Sequence, residues 1–197
     1  MTVPPPPAGR VLFAGDLVDT EATEALGRRL AGLLRAGDLL VLTGPLGAGK
    51  TTLTRGLGAG LQVRGQVASP TFVLARTHPT ASGVPLVHVD AYRLGGADEL
   101  DDLDLDYEGS VVVVEWGAGL LDGVAESWLD VVIERPTGAG GELGDDGSDP
   151  EGLPGPDGLV DPDTLADTDP DDVADEPRRL TITAHGPRWE GVRLTTG

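Results

Sequence analysis

The sequence runs Leu39-Leu40-Val41-Leu42-Thr43-Gly44-Pro45-Leu46-Gly47-Ala48-Gly49-Lys50-Thr51-Thr52, and this stretch decides the fold. Its first four residues form an apolar run with the length and composition of a buried β-strand. The residues after Thr43 have the spacing G-x-x-x-x-G-K-T, whose glycines let backbone N–H groups curl around phosphate oxygens. The stretch therefore predicts a strand that ends in a phosphate-binding loop, or P-loop.

The residues that follow predict the helix that a P-loop requires. Leu53, Leu57 and Leu61 are spaced by four, as on one side of a helix, and glycines surround the expected end. The N-terminal end of such a helix presents free N–H groups and a positive dipole to bound phosphates. An ordinary glycine-rich turn is the other interpretation, but strand, glycine loop and helix in this order favour a nucleotide site.

The motif also assigns a role to each residue of the loop. Lys50, the only lysine in the chain, is expected to reach the β- and γ-phosphates and to act in catalysis. The Thr51 hydroxyl is expected to ligate the Mg²⁺ that accompanies the nucleotide. Ser69 or Thr71 could supply a hydroxyl near the γ-phosphate, although Ser69 could equally begin the turn before Pro70. The predicted ATP-binding residues are Gly44, Leu46, Gly47, Ala48, Gly49, Lys50, Thr51, Thr52 and Thr71.

The other segments predict an α/β fold. Four consecutive valines, Val111 to Val114, indicate a strand that is buried on both faces, as in the interior of a parallel sheet. Thr20 is the expected N-cap of a first helix. Further strands are expected at residues 10–13, 72–76, 85–90 and 129–133, and residues 180–184 and 189–194 are expected to close the fold as an antiparallel C-terminal strand pair. The expectation is a P-loop NTPase-like, mainly parallel sheet flanked by helices.

Two carboxylates follow predicted strands and are candidates for the metal site. Glu115 ends the valine strand and is expected to hold Mg²⁺, directly or through water. Asp90 ends another strand and is expected to position water or to support the metal, which makes it the second candidate catalytic residue. Either carboxylate could instead cap the next helix. His88 is expected to be a packed strand residue.

Composition limits the class of protein. A chain of 197 residues fits one domain, and the lack of cysteine excludes a disulfide scaffold or a thiolate metal site. Residues 1–7 lack the features of a secretory signal, and no apolar run approaches the roughly 20 residues of a membrane span. We expect a cytoplasmic protein, with residues 1–9 a disordered Pro-rich lead and residues 10–197 a single domain.

The acidic charge is concentrated in one segment. Residues 137–177 contain 14 acidic residues and no basic residue, and removing these charges from the formal net charge of −19 leaves −5. The segment is rich in Gly, Asp and Pro, so we expect a disordered insert. An inert, solubilising role is favoured over a regulatory one. The remainder has no excess of basic residues for nucleic acid, so any nucleic acid is expected to be held by a partner.

The motifs together resemble the TsaE (YjeE) family. They are Gly37-Asp38, the loop from Leu46 to Thr52, Ser69-Pro70-Thr71-Phe72, His88-Val89-Asp90-Ala91-Tyr92-Arg93-Leu94 and Glu115-Trp116. The resemblance covers residues 20–133 and resumes weakly from Leu180. One departure is Pro45, which stands where the family commonly has Asp and removes one backbone donor.

This resemblance implies a cytoplasmic Mg-ATPase with low activity of its own. It would act on a complex of TsaD, the transferase subunit, and TsaB, its inactive relative, which installs threonylcarbamoyl on adenosine 37 of tRNAs. The implied partners are therefore TsaD and TsaB, with tRNA contacted only through them and no membrane involved. By motif match, Thr51 and Glu115 would hold Mg²⁺, and Asp90 would lie near the γ-phosphate.

Three other function classes were weighed. A P-loop GTPase needs an Asn-Lys-x-Asp motif, which a chain without a second lysine lacks. A small-molecule kinase needs an arginine-bearing lid, and no arginine lies between Arg135 and Arg178. A nucleotide-dependent interaction module without significant hydrolysis shares every motif and stays open.

Overall fold

One mixed β-sheet of seven strands organises the protein. The computed structural model describes residues 9–70, 73–94, 99, 102–119, 124–135 and 176–194. The strands are β1 (Arg10–Leu17), β2 (Leu39–Thr43), β3 (Ala75–His78), β4 (Leu86–Asp90), β5 (Val111–Glu115), β6 (Trp128–Glu134) and β7 (Arg178–His185). The helices are α1 (Thr20–Ala31) and α2 (Lys50–Gly60), and Ala91–Arg93 and Pro187–Trp189 form single 3₁₀ turns.

The sheet is parallel at its centre and antiparallel at both edges. The strand order is β1-β7-β6-β2-β5-β4-β3. β2 pairs in parallel with β5 and β6, and β4 pairs in parallel with β5. β7 is antiparallel to β1 and β6, and β3 is antiparallel to β4. The predicted α/β class is confirmed, and the parallel pairing is confined to the four central strands.

Both helices cover one face of this sheet. Leu26, Leu30, Leu53 and Leu57 are fully buried in the larger apolar cluster, together with inward-facing residues of β2 and β6. The opposite face packs the valines of β4 and β5 against Leu103, Leu105 and Tyr107. β2, β4 and β5 are therefore buried on both faces, which explains their nearly continuous apolar sequence, whereas β6 alternates between buried and more exposed residues.

The predicted C-terminal strand at residues 189–194 is wrong. Gly186 has a φ of 85°, and Pro187 then begins a 3₁₀ turn that buries Trp189. The chain beyond this turn is held by Arg10, whose guanidinium donates to the carbonyls of Trp189 at 2.8 Å and Val192 at 2.6 Å. The antiparallel partners of β7 are β1 and β6 because the left-handed glycine and the proline redirect the chain away from the sheet.

The N-cap of the first helix lies one residue earlier than predicted. The N-cap is Asp19, whose carboxylate accepts a 2.6 Å hydrogen bond from the Ala22 amide, and Thr20 is the first helical residue. Both residue types cap helices well, so sequence favoured neither strongly.

Two predicted segments lie almost wholly outside the described residues. They are the Pro-rich lead at 1–9, of which Gly9 is described, and the insert at 137–177, of which Glu176 and Pro177 are described. Arg135, just before the insert, and Glu176, near its end, form an ion pair at 2.6 Å, and this hydrogen bond lowers the pKa of Glu176. Within the described ranges, no helix has the length and apolar character needed to span a membrane.

The two helices cross at glycines, which generates a test of the packing. A Cβ at Gly56 would lie 2.3 Å from the carbonyl oxygen of Glu24, and one at Gly27 would lie 2.5 Å from that of Leu53. We expect Gly56→Ala to lower the free energy of unfolding by about 1–3 kcal/mol, since a backbone carbonyl cannot move aside as a side chain can. Urea titration measures this change.

Gly32→Ala is the matched control. Gly32 has a φ of −64°, and its added Cβ would meet nothing closer than 3.4 Å. It should leave stability unchanged or raise it by up to about 1 kcal/mol. Equal destabilisation by both variants would contradict the close approach of the helices.

Candidate nucleotide-binding site

The loop between β2 and α2 has a conformation that depends on glycine. Gly47 and Gly49 have φ values of 73° and 99°, in the left-handed region. Gly49 is the N-cap of α2 and offers no side chain to its first N–H groups. The Ala48 amide donates to the Pro45 carbonyl at 3.1 Å, which closes the loop on itself. No side chain therefore caps the start of α2, which is the arrangement found where a helix N-terminus binds phosphate.

Lys50 is buried beneath this loop. Lys50 is only 1% exposed, and its Nζ donates to the carbonyls of Gly44 at 3.3 Å and Pro45 at 3.1 Å. The ammonium also lies 4.2 Å from the centre of the Trp116 ring. These contacts keep a positive charge desolvated at the loop, where its attraction for an anion is stronger than in water.

Thr51 contacts the carboxylate that was predicted to join it. Thr51 Oγ1 donates to Glu115 Oε1 at 3.1 Å, and both residues are buried. His88 Nε2 lies 2.8 Å from the same oxygen and donates to it, since a carboxylate only accepts. The imidazole of His88 is fully buried. A hydroxyl and a carboxylate side by side are the hard oxygen ligands that Mg²⁺ prefers.

Thr52 provides a test of whether a phosphate group fits. Its hydroxyl is buried and has no hydrogen-bond partner among the described residues. An unpaired buried hydroxyl is costly, and a phosphate oxygen at the helix N-terminus would satisfy it. No group of three or more His, Asp or Glu side chains suited to a metal occurs in the described ranges.

Asp90 lies beside Glu115 but is used as a cap. The two residues are register partners on the parallel strands β4 and β5. Asp90 Oδ1 accepts a 3.0 Å hydrogen bond from the Tyr92 amide, at the start of the 3₁₀ turn. Its backbone amide donates to the Leu74 carbonyl at 2.8 Å, which ties the segment after Pro70 to β4. The capping alternative is therefore realised, and the predicted catalytic role stays a prediction.

The remaining predicted residues are placed as follows. Gly44, Gly47, Ala48 and Gly49 are buried in the loop, whereas Leu46 is 68% exposed at its tip. Thr71 lies outside the described residues. Ser69 is half-buried just before it.

Sequence reasoning missed the roles of His88 and Trp116. His88 was expected to be a packing residue, yet it lies two residues before Asp90 on the same face of β4 and meets Glu115. That spacing of two was the available signal. Trp116 was noted only as part of the Glu115-Trp116 motif, but its φ of 62° turns it over Lys50, and the centre of the Tyr92 ring lies 5.4 Å from that of its own ring.

The family model described as "Threonylcarbamoyl adenosine biosynthesis protein TsaE" matches residues 17–140, more than half of the chain. This chain belongs to the TsaE family. Its predicted family is thereby confirmed, and with it a place in the biosynthesis of threonylcarbamoyladenosine in tRNA.

Individual relatives agree with this assignment. The tRNA threonylcarbamoyladenosine biosynthesis protein TsaE of Streptomyces coelicolor is 51% identical over 168 residues, which are 83% of this chain and 91% of that protein. The protein of the same name from Mycobacterium tuberculosis is 54% identical over 58% of this chain and 74% of its own length. The crystal structure of YdiB from Bacillus subtilis superimposes with a TM-score of 0.59 at 27% identity, covering 93% of this chain and 91% of that one.

The contact between His88 and Glu115 yields a prediction that needs no ligand. His88→Leu should lower the free energy of unfolding by about 1–3 kcal/mol, because the buried carboxylate loses a donor. His88→Gln, which keeps a donor, should recover part of this loss. Urea titration of the nucleotide-free protein measures both.

A double-mutant cycle with Glu115→Gln isolates the pair. If the contact is real, the effect of His88→Leu shrinks when Glu115 is already neutral. Strict additivity of the two substitutions would contradict the contact.

Proposed function

We propose that this protein is a Mg-dependent ATPase that supports threonylcarbamoyladenosine modification at position 37 of tRNA through a TsaB–TsaD complex. The observation that carries the proposal is the contact of Thr51 with Glu115 at the foot of a glycine loop that also buries Lys50. These three residues bring together the groups that phosphoryl transfer uses: a cation, a metal-ligating hydroxyl and a carboxylate.

The loop is the proposed phosphate cradle. The amides from Gly47 to Thr52 and the Thr52 hydroxyl would donate hydrogen bonds to phosphate oxygens, and Lys50 would neutralise the β- and γ-phosphates. Pro45 does not weaken this cradle, because it lies outside the stretch from Gly47 to Thr52 that would face the phosphates, and its carbonyl accepts a hydrogen bond from Lys50. ATP is accordingly the proposed substrate.

Thr51 and Glu115 are the proposed magnesium residues. Mg²⁺, when bound, neutralises charge that develops on the transferred phosphoryl group. His88 keeps Glu115 oriented by donating to Oε1, and burial of both side chains, 0% and 6% exposed, keeps this pair away from bulk water. The carboxylate is thus held in one direction before nucleotide arrives, which reduces the ordering cost of binding.

Asp90 is proposed to respond to the nucleotide. It caps the turn at Tyr92 and connects through its amide to Leu74, which follows the predicted γ-phosphate segment at Ser69–Thr71. A shift of that segment would be transmitted to the turn and to Tyr92, whose side chain is 70% exposed. We assign Asp90 to positioning water or to this coupling.

TsaD and TsaB are the proposed partners, and the cytoplasm is the proposed location. The chain outside residues 137–177 is mildly acidic, so tRNA is proposed to be held by the partners. Leu46 at 68% exposure and Tyr92 at 70% place apolar surface at the site, where a partner could read the nucleotide state.

That exposed apolar surface also supports a second candidate, a nucleotide-dependent interaction module that does not hydrolyse ATP significantly. The two functions share the binding residues and differ in turnover. The turnover assay below distinguishes them, because a pure binder forms the complex with the partners without releasing phosphate.

The ATPase is tested by reconstitution. Purified protein should release phosphate slowly with Mg-ATP and faster when TsaD and TsaB are added. Lys50→Ala and Glu115→Gln should each reduce turnover by at least about a hundredfold, since each removes a charge-stabilising group. Phosphate release is measured at saturating ATP.

Arg64→Ala and Glu134→Gln are the matched controls, because both residues are exposed and remote from the loop in sequence. Both should retain wild-type turnover. If Lys50→Ala and Glu115→Gln each retained wild-type turnover, the assignment of the site would be wrong.

Asp90→Asn tests the coupling role. An amide oxygen still accepts from the Tyr92 amide, so the cap is kept while the negative charge is lost. We expect one round of tRNA modification to proceed and repeated rounds to fall by at least about tenfold. Product per enzyme over time measures both. Normal multiple turnover would count against the role.

A further inference from the structure

Arg178 is a buried charge that the proposed chemistry has not yet used. It is the first residue of β7 and is only 2% exposed, which places it among the largest fully buried side chains. A guanidinium stays protonated in proteins, so this residue carries a permanent positive charge into the interior. Burial of such a charge is costly unless anions or acceptors compensate it.

The guanidinium lies against the phosphate loop. A Cβ built at Gly49 would be 3.2 Å from Arg178 Nε and 3.4 Å from its Cζ. Gly49 precedes Lys50 and caps α2. Arg178 therefore touches the loop at the residue where the helix amides begin, whereas Lys50 reaches Gly44 and Pro45 at the loop's start.

The two ends of the loop rest on the same pair of strands. Gly44 packs on the carbonyl of Ile133 in β6, since a Cβ there would be 2.5 Å from that oxygen. Ile133 is paired with Leu180 in β7, two residues after Arg178. β6 and β7 thus support the loop from Gly44 to Gly49, and the charged part of that support is Arg178.

Glu176 lies two residues before Arg178 in the chain. Glu176 is half-exposed and bonded to Arg135, and its pKa is lowered first by Arg135 and last by Arg178. The permanent positive charge of Arg178 beside the loop makes the loop more attractive to anions.

We propose that Arg178 is a positioning residue of the nucleotide site: it holds the Gly49–Lys50 peptide and supplies a fixed positive charge that favours nucleotides with more phosphates. This inference rests on the proposed function. It adds a second cation to the site, from a strand that is remote in sequence.

The experiment compares the binding of Mg-ATP, Mg-ADP and AMP to the full-length protein by calorimetry. Arg178→Gln should weaken ATP binding by at least about tenfold, ADP binding less and AMP binding least, because the lost attraction grows with phosphate charge. Added NaCl should weaken ATP binding to the wild type more than to Arg178→Gln. Arg178→Lys, which keeps the charge, should bind ATP within about threefold of wild type.

Arg179→Gln is the matched control. Its side chain is 62% exposed and forms only a long 3.8 Å pair with Asp16, so its ATP affinity should equal that of wild type. If Arg178→Gln does not fold, Arg178→Lys decides, since a tenfold loss of ATP affinity despite the retained charge overturns the inference.

The outcomes separate the inference from the proposed function. If the wild type binds no nucleotide, both fail. If it binds ATP but Arg178→Gln binds equally well, or loses ATP, ADP and AMP to the same extent, only the role of Arg178 fails. A graded loss from AMP to ATP supports it.

Discussion

The parallel pairing of β2 with β5 is the constraint on which the site depends. Its register sets Leu42 opposite Glu115, so the phosphate loop that follows β2 and the carboxylate that ends β5 emerge at the same edge of the sheet. Thr51, at the start of α2, then reaches Glu115. A shift of the β2–β5 register by one residue would turn Glu115 to the other face of the sheet, and its contact with Thr51 would be lost. The helices and the outer strands serve to keep this register buried.

Burial gives the site its electrostatic character. Lys50, Thr51, His88 and Glu115 are each less than 5% exposed, and the groups that compensate them are mostly one another and the loop carbonyls. In such surroundings charges interact more strongly than at a surface, and unsatisfied groups are costly. The Thr52 hydroxyl, which has no hydrogen-bond partner among the described residues, is the deficit that a bound phosphate would fill.

Much of the fold could be predicted from local sequence. The sequence patterns of the valine strand and of β2 indicate buried strands, and the spacing of Leu53 and Leu57 indicates a helix. The failure at residues 189–194 has a local cause, because alternation of apolar residues favoured a strand while Gly186 and Pro187 determined the turn. Thr71 and most of residues 137–177 lie outside the described structure, so their predicted roles stay predictions.

The sequence by itself determined the shape of the loop, since Gly47 and Gly49 adopt left-handed backbone conformations within one short stretch, and its spacing with Lys50 and Thr51 predicts a phosphate cradle. It also determined the family, because several motifs occur in order. Only the tertiary structure decided which distant groups join them. His88, Trp116 and Arg178 reach the loop through strand register, a left-handed residue and the packing of β7, and these depend on contacts between segments that local patterns do not encode.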